Sequence, residues 1–161
     1  MTHESTSRVL DRDAIAALIP HAGTMCLLDR VHTWDAERIE CHAISHRDGA
    51  NPLREAGRLG AASGIEYAAQ AMAVHGGLLA QANGGAPTMG FLASVRDVRA
   101  YAARLDDLAG DLIVEAKRLG GEASRVLYEF SVRTHERVVL EGRAAVVLDA
   151  ESSSPPSSIR S

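Results

Sequence analysis

The chain has 161 residues and a formal net charge of −4, a size that suits one domain with a single hydrophobic core. The acidic balance and the 4% aromatic content argue against a nucleic-acid-binding protein. No apolar run approaches the length of a membrane span, and the polar N-terminus lacks a signal segment, so we expect a cytoplasmic protein.

The first elements are a short helix and two strands. Residues 1–17 are predicted to form an N-terminal arm and a helix, with Asp11 or Asp13 as its N-cap. Strands are expected at about 26–34 and 37–45, around a turn. The two cysteines in this region have no metal-ligand spacing and form no disulfide framework. We therefore expect reduced thiols, no metal and no cofactor.

A polar, glycine-containing loop is predicted from His46 to Gly60, consistent with a segment that covers a site. A helix follows at about 61–82, since no proline interrupts this alanine-rich run. The run is apolar on nearly every side, which is typical of a buried helix. Four further strands are expected at about 89–101, 111–119, 125–134 and 137–148. The tail, 150–161, is predicted to be disordered.

Glu66 is the unusual residue of this helix. A carboxylate in apolar surroundings costs several kcal/mol unless it is paired, hydrogen-bonded or protonated, so its presence needs a reason. Gln70, one turn later, shares its face of the helix. We predict that Glu66 lines a site and that Gln70 orients it; the alternative is a helix start that simply faces water.

The order of elements predicts an α+β fold, in which a long central helix is wrapped by an antiparallel sheet. A curved sheet of six strands leaves two open edges, and joining edges in a dimer would protect them.

Three segments resemble bacterial 3-hydroxyacyl-acyl-carrier-protein dehydratases. Residues 19–31, IPHAGTMCLLDRV, are similar to the family's opening Leu-Pro-His-Arg…Leu-Leu-x-Asp-Arg-Val. Residues 65–70, IEYAAQ, are similar to its central-helix Glu-Ala-Met-Ala-Gln signature, and 91–99 with 110–112 resemble a later strand and Gly-Asp. The resemblance implies a hotdog domain over 18–149. The residues from His46 to Glu66 most resemble the dehydratase-like subunit of aryl-polyene clusters.

The family's catalytic histidine lies in a Gly-His-Phe-Pro motif that this chain lacks, so only the carboxylate carries over, onto Glu66. Dehydration needs a base for the α-proton and an acid for the departing hydroxyl. Glu66 is the expected acid, and His46 is the best internal candidate for the base. Amides near Gly64 would polarise the thioester carbonyl, and Ile65 and Gln70 would contact substrate.

The missing motif predicts a heterodimer with a second hotdog dehydratase subunit that supplies the histidine, since family sites are shared across the dimer. The rivals are a homodimer that uses His46, a non-catalytic binding subunit and a hotdog thioesterase. An acyl carrier protein is the expected donor of substrate. Because both proteins are acidic, docking needs a local basic patch, for which we assign Arg96, Arg99 and Arg104.

Overall fold

The computed structural model describes residues 9–19, 26–85, 90–122 and 124–148. The first helix begins after Asp11, whose carboxylate accepts a 2.9 Å hydrogen bond from the amide of Ala14. Asp11 rather than Asp13 is therefore the N-cap, because its side chain satisfies an amide that the helix leaves unpaired. The expected tail, 150–161, lies outside the described residues.

The predicted elements are all present, with small shifts at their ends. In chain order they are α1 (Arg12–Leu18), β1 (Arg30–Trp34), β2 (Arg38–Ala43), α2 (Gly64–Ala82), β3 (Gly90–Ala100), β4 (Leu112–Glu122), β5 (Arg125–Arg133) and β6 (Val138–Leu148). Short 3₁₀ turns at Ser45–Arg47 and Ala61–Ser63 bound the polar loop. None of the described helices combines the length and hydropathy needed to cross a membrane.

The six strands form one antiparallel sheet in the order β1-β2-β4-β5-β6-β3, so β1 and β3 are its edges. Alternation along β5 decides which face is inward: Val126, Tyr128, Phe130 and Val132 are buried, and the residues between them are more exposed. The inward face packs on α2 and α1. This long helix wrapped by an antiparallel sheet confirms the predicted α+β hotdog fold.

The start of α2 lies close to the sheet because Gly64 has no side chain. A Cβ at this position would come within 2.7 Å of Leu140 on β6 and 3.5 Å of Val132 on β5. The beginning of the helix is thereby fixed beside the middle of these two strands. Glu66, two residues later, takes its position from this contact.

Burial of α2 differs from the expectation. The side toward the sheet and α1 is buried, including Tyr67, Ala71 and Leu78. The opposite side is open in the single chain: Glu66 is exposed, and the small residues that follow it at helical spacing are half-buried. These residues are Ala69, Ala73, Gly76 and Ala80. The sequence predicted burial on nearly all sides of α2, whereas one side is open in the single chain. Alanine and glycine are equally compatible with a protein core and with an interface to a second chain, so composition did not distinguish the two.

His75 is a structural residue of the buried side. Its Nδ1 accepts a 2.7 Å hydrogen bond from the Tyr128 hydroxyl, and its Nε2 donates to the carbonyl of Asp35 at 2.8 Å. Burial raises the pKa of Tyr128 to about 12, so this hydroxyl keeps its proton and acts as the donor. His75 thus ties α2 to β5 and to the β1–β2 turn, and both of its ring nitrogens are satisfied.

Candidate active site

The candidate site is built around the first turn of α2. Glu66 projects from the open side of the helix, and no hydrogen bond or ion pair connects its carboxylate to another residue in the described part of the chain. The apolar surroundings expected from the sequence are thus not supplied by this chain alone. A carboxyl at such a position is available to a substrate or to a second chain.

The neighbours of Glu66 have different roles. The amide of Gly64 donates to carbonyls of the preceding 3₁₀ turn, at Ala61 and Ala62. The Gly64 amide itself is thus occupied in this structure, and the role of amides near Gly64 in polarising a thioester stays a prediction. Gln70 accepts a 2.8 Å hydrogen bond from the amide of Leu27 through Oε1. Ile65 is half-buried against the core.

A directed hydrogen-bond chain supports this turn from below. The Ser45 hydroxyl donates to the carbonyl of Leu27 at 2.8 Å, so the Tyr67 hydroxyl, 2.8 Å away, must donate to Ser45. Tyr67 in turn accepts from the side-chain amide of Asn51 at 3.1 Å. These hydrogen bonds, together with the one from Leu27 to Gln70, connect three parts of the structure. The parts are α2, the polar loop, and the segment that precedes β1.

The network residues could not be recognised from the sequence. Ser45, Asn51 and Tyr67 are separated by up to 22 positions and share no periodicity. The available signal was Tyr67, a large hydroxyl-bearing side chain in a largely apolar helix. Buried hydroxyls need partners, so its presence implied a polar residue on a facing loop.

His46, the internal candidate for the base, is fully buried in the 3₁₀ turn at the start of the loop. Its Nε2 lies 3.2 Å from the carbonyl of Leu108, and its Nδ1 has no hydrogen-bond partner in the described part of the chain. Burial lowers the pKa of His46, although the Leu108 carbonyl opposes this effect. The ring is neutral and enclosed, so contact with a substrate requires the loop to open.

The loop over His46 is held in shape by Arg54 and Asp106. The Arg54 guanidinium donates to the carbonyls of Asp48, Gly57 and His46 at 2.9, 2.7 and 3.3 Å. It also lies 3.7 Å from the carboxylate of Asp106, which accepts from the amide of Leu59 at 2.9 Å. The hydrogen bond from Arg104 holds the pKa of Asp106 well below its usual range. Asp106 therefore stays ionised and anchors the loop at neutral pH.

The predicted docking arginines do not form one patch. Arg104 is half-buried in its ion pair with Asp106 and belongs to the loop frame. Arg99 and Arg96 are exposed on edge strand β3. The register places Arg99 opposite Glu141 and Arg96 opposite Arg143. Of the three, Arg99 combines exposure with a position near the end of the sheet where α2 begins.

One cluster of described residues has donor atoms close enough to hold a metal ion: those of His32, Glu40 and His42 lie within 4.8 Å of one another. Arg30 donates to Nδ1 of His42 at 2.8 Å, so the ring proton is on Nε2, which donates to Glu40 at 2.9 Å. A metal on either nitrogen would have to break one of these bonds. The cluster is satisfied by its own hydrogen bonds, and we assign it no ligand.

An apolar groove of about 200 Å³ lies between the second half of α2 and the sheet. Met72 and Gly76 line it from the helix, and Val126, Tyr128 and Val146 line it from the strands. Met72 is six residues beyond Glu66, about 9 Å along the helix axis at 1.5 Å per residue. The groove thus continues the open side of the helix away from the carboxylate.

Solved structures with a similar fold include a dehydratase complex and thioesterases. The structure titled "The Dehydratase Heterocomplex ApeI:P", from Xenorhabdus doucetiae, matches with a TM-score of 0.77 and 23% identity, over 86% of this chain and 92% of that one. A thioesterase from Haemophilus influenzae matches with a TM-score of 0.62 and 10% identity, over 90% and 94% of the two chains. A mutant thioesterase from Pseudomonas aeruginosa matches with a TM-score of 0.61 and 10% identity, over 90% and 98%. At these identities the likeness establishes the hotdog fold.

The family is established by sequence. The model of the ApeP-like family, described as ApeP dehydratase, matches residues 13–154. This chain therefore belongs to the ApeP-like dehydratase family. No match was found among curated proteins.

The two buried histidines should make the stability of the protein depend on pH. Burial lowers the pKa values of both His46 and His75, so below the usual value of 6.5 the unfolded chain binds more protons than the folded one. Stability should be full above about pH 7 and fall as the pH drops through this window. The pKa of Asp106 is also lowered, so protonation of this carboxylate should reduce stability as well. That loss occurs only at much more acidic pH, below the usual aspartate pKa of 3.8.

Urea unfolding followed by circular dichroism at pH 5.5 and 7.5 measures this effect. The urea concentration at the midpoint of unfolding should be lower at pH 5.5 than at pH 7.5. His46→Gln or His75→Gln should reduce this difference between the two midpoints. The exposed His135 provides the matched control, and His135→Gln should leave the difference unchanged. A midpoint that rises toward pH 5.5 would contradict the assignment of two neutral buried rings.

Proposed function

We propose that this chain is the carboxylate-bearing subunit of a dehydratase that acts on 3-hydroxyacyl thioesters of an acyl carrier protein. A base removes a proton from C2, the C3–O bond breaks, and Glu66 protonates the departing hydroxide, giving a 2-enoyl thioester and water. Membership of the ApeP-like family supports the reaction class. The observation that carries the proposal is the exposed Glu66 on the open side of α2.

The base in this proposal belongs to a second hotdog subunit. His46 is enclosed and tied to Leu108, whereas Glu66 is exposed, so the described residues do not present the two groups together. The open side of α2 is lined by alanine and glycine, which allow another backbone to approach closely. The similar structure from Xenorhabdus doucetiae is titled a dehydratase heterocomplex, which supports a partner of the same fold.

With its reacting carbons beside Glu66, the acyl chain of the substrate would extend along the open side of α2 into the groove beside Met72 and Gly76. Gln70 would hold the helix against Leu27 and face the thioester, while Ile65 would form part of the wall. The partner subunit would cover this path and exclude water. Desolvation of Glu66 by the partner would then favour the protonated acid that the reaction needs.

Incubating the purified complex with a 3-hydroxyacyl carrier tests the reaction class directly. The product should be lighter by one water and should keep its thioester, which mass spectrometry reports. A thioesterase, the fold's other common activity among the similar structures, would instead release free thiol. Thiol release without loss of water would overturn the dehydratase proposal.

Carrier docking is expected to depend on Arg99. Arg99→Glu should weaken binding of the acyl carrier several-fold at low salt, and the effect should shrink as salt is added because exposed charges are screened. Arg104→Glu would also break the ion pair with Asp106, so its effect would mix docking with loop stability. Arg58, exposed in the polar loop, gives the matched charge-reversal control. Equal affinity of wild type and Arg99→Glu at low salt would remove this residue from the docking surface.

A further inference from the structure

The outer face of the sheet, turned away from α2, carries a trough that crosses four strands. The register places a row of small or apolar residues side by side on β3, β6, β5 and β4. They are Ser94, Ala145, Leu127 and Gly120. Ala145 is only 3% exposed although its pairing places it on the outer face. Larger side chains in the adjacent rows of this face therefore shield it from solvent. We call this row the floor of the outer trough.

The trough has a rim on each side. One rim contains Arg96 and Arg143, which pair across β3 and β6, and the other contains Val147 and Arg125, which pair across β6 and β5. The rims are four residues apart along the strands, about 13 Å at 3.3 Å per residue. The enclosed cavity is about 270 Å³. An α-helix with its side chains is about 10–12 Å wide and fits between rims of this spacing.

Exposed apolar side chains gather at this trough. Nine large apolar residues are exposed in the described part of the chain, and four of them lie on the floor, on its rims or in the adjoining bulge of β4. These four are Phe91, Leu119, Leu127 and Val147. Single exposed apolar residues are ordinary, but a contiguous group beside a groove is typical of an interaction site.

The charges at the trough are unbalanced. Three arginines line the cavity, Arg96, Arg125 and Arg143, against one acidic residue, Asp97. Arg96 and Arg143 face each other across the strands, an arrangement of like charges that destabilises a sheet. The register also places Glu129 opposite Arg143 and Glu122 opposite Arg125, so Arg96 is the one of the three with no acidic residue directly opposite it. None of the three arginines forms an ion pair or side-chain hydrogen bond within the described residues. An anionic partner would relieve this repulsion.

We propose that the outer trough binds an acidic amphipathic helix of a partner protein. The apolar side of the helix would lie on Leu127 and Ala145, and its acidic side chains would reach the arginines of the two rims. The floor spans three gaps between strands, about 14 Å at 4.7–4.9 Å each, which matches roughly nine or ten helical residues.

This surface is separate from the site proposed above. The trough crosses β6 near Ala145, whereas Gly64, at the start of α2, packs on Leu140 from the other face of the sheet. The separation along β6 is about 17 Å at 3.3 Å per residue, with the thickness of the sheet in addition. Because the trough lies on the opposite face of the sheet from Glu66, we assign the helix to a partner other than the carrier; Arg99, the proposed carrier-docking residue, adjoins the rim and pairs with Glu141, two residues from Arg143 on β6.

A labelled model peptide tests the trough without any catalytic readout. The probe is a 14-residue fluorescent helix with leucine and alanine on one side and glutamate on the other, titrated with the full chain while anisotropy is followed. Arg125→Glu combined with Arg143→Glu should weaken binding about tenfold or more, from the loss of two charge contacts and the added repulsion. Leu127→Ser should weaken it through loss of the apolar floor. Arg47→Glu combined with Arg58→Glu, at exposed positions in the polar loop, is the matched control and should bind as wild type does.

Three results of the peptide titration would overturn the proposal. They are failure of the wild-type chain to bind the peptide at low salt, equal binding of a shuffled peptide with the same composition, and equal binding by the Arg125 and Arg143 double variant. Circular dichroism establishes that each variant is folded. Self-association of the wild-type chain that the double variant abolishes would assign the trough to a second copy and would equally overturn it. Dehydration by the complex is measured separately, so failure of either proposal is seen independently.

Discussion

Replacing Glu66 by glutamine in the purified complex should lower turnover by about 10²-fold or more, the usual contribution of a positioned acid or base. The substitution keeps the size and hydrogen-bonding capacity of the side chain but removes the proton that the departing hydroxide needs. Glu66 is exposed and forms no hydrogen bond or ion pair with other described residues, so the fold should not depend on it. The measurement is single-turnover dehydration of a 3-hydroxyacyl carrier, with circular dichroism to verify folding.

Glu136→Gln is the matched control for this experiment. Glu136 lies exposed in the turn between β5 and β6, and its replacement removes the same charge without touching α2. Turnover by this variant should equal that of wild type. If Glu66→Gln were to keep wild-type turnover in the same complex, Glu66 would have no part in the proton transfer.

The second large effect concerns the isolated chain. We expect it to be nearly inactive on a 3-hydroxyacyl carrier. The complex with a second, histidine-bearing hotdog subunit should be at least about 10²-fold faster, because a general base is then present. His46→Gln, which retains a donor for the Leu108 carbonyl, should change turnover of the complex little. Full activity of the isolated chain that His46→Gln abolishes would instead establish His46 as the base.

The fold was accessible from sequence because its signals are local. The alternation from Val126 to Val132 predicted a strand with one inward face, and the uninterrupted alanine-rich run predicted α2. What the sequence missed was how far burial extends. Ala73 and Gly76 are equally suited to a packed core and to an interface, so composition alone did not distinguish the open side of the helix from its buried side.

The site could be predicted from sequence only in part, because some of its contacts join residues that are distant in the chain. Glu66 stands out because a charge interrupts an apolar helix, and the structure places it in the open. The frame around it depends on contacts distant in sequence: Tyr67 meets Ser45 and Asn51, and Arg54 meets Asp106. Such partners are selected by the tertiary fold. His46 looked accessible at the start of a polar loop, yet the segment that contains Leu108 closes over it.

The central claim is that Glu66 completes an active site with a histidine from another subunit. The most direct measurement uses a purified complex in which the partner subunit's own helix carboxylate has been replaced by glutamine. In that complex Glu66 is the single helix carboxylate able to act as the acid. The account predicts that dehydration persists in this complex and is lost when Glu66→Gln is added. Absence of dehydration while Glu66 is intact, with both subunits folded and associated, would contradict it.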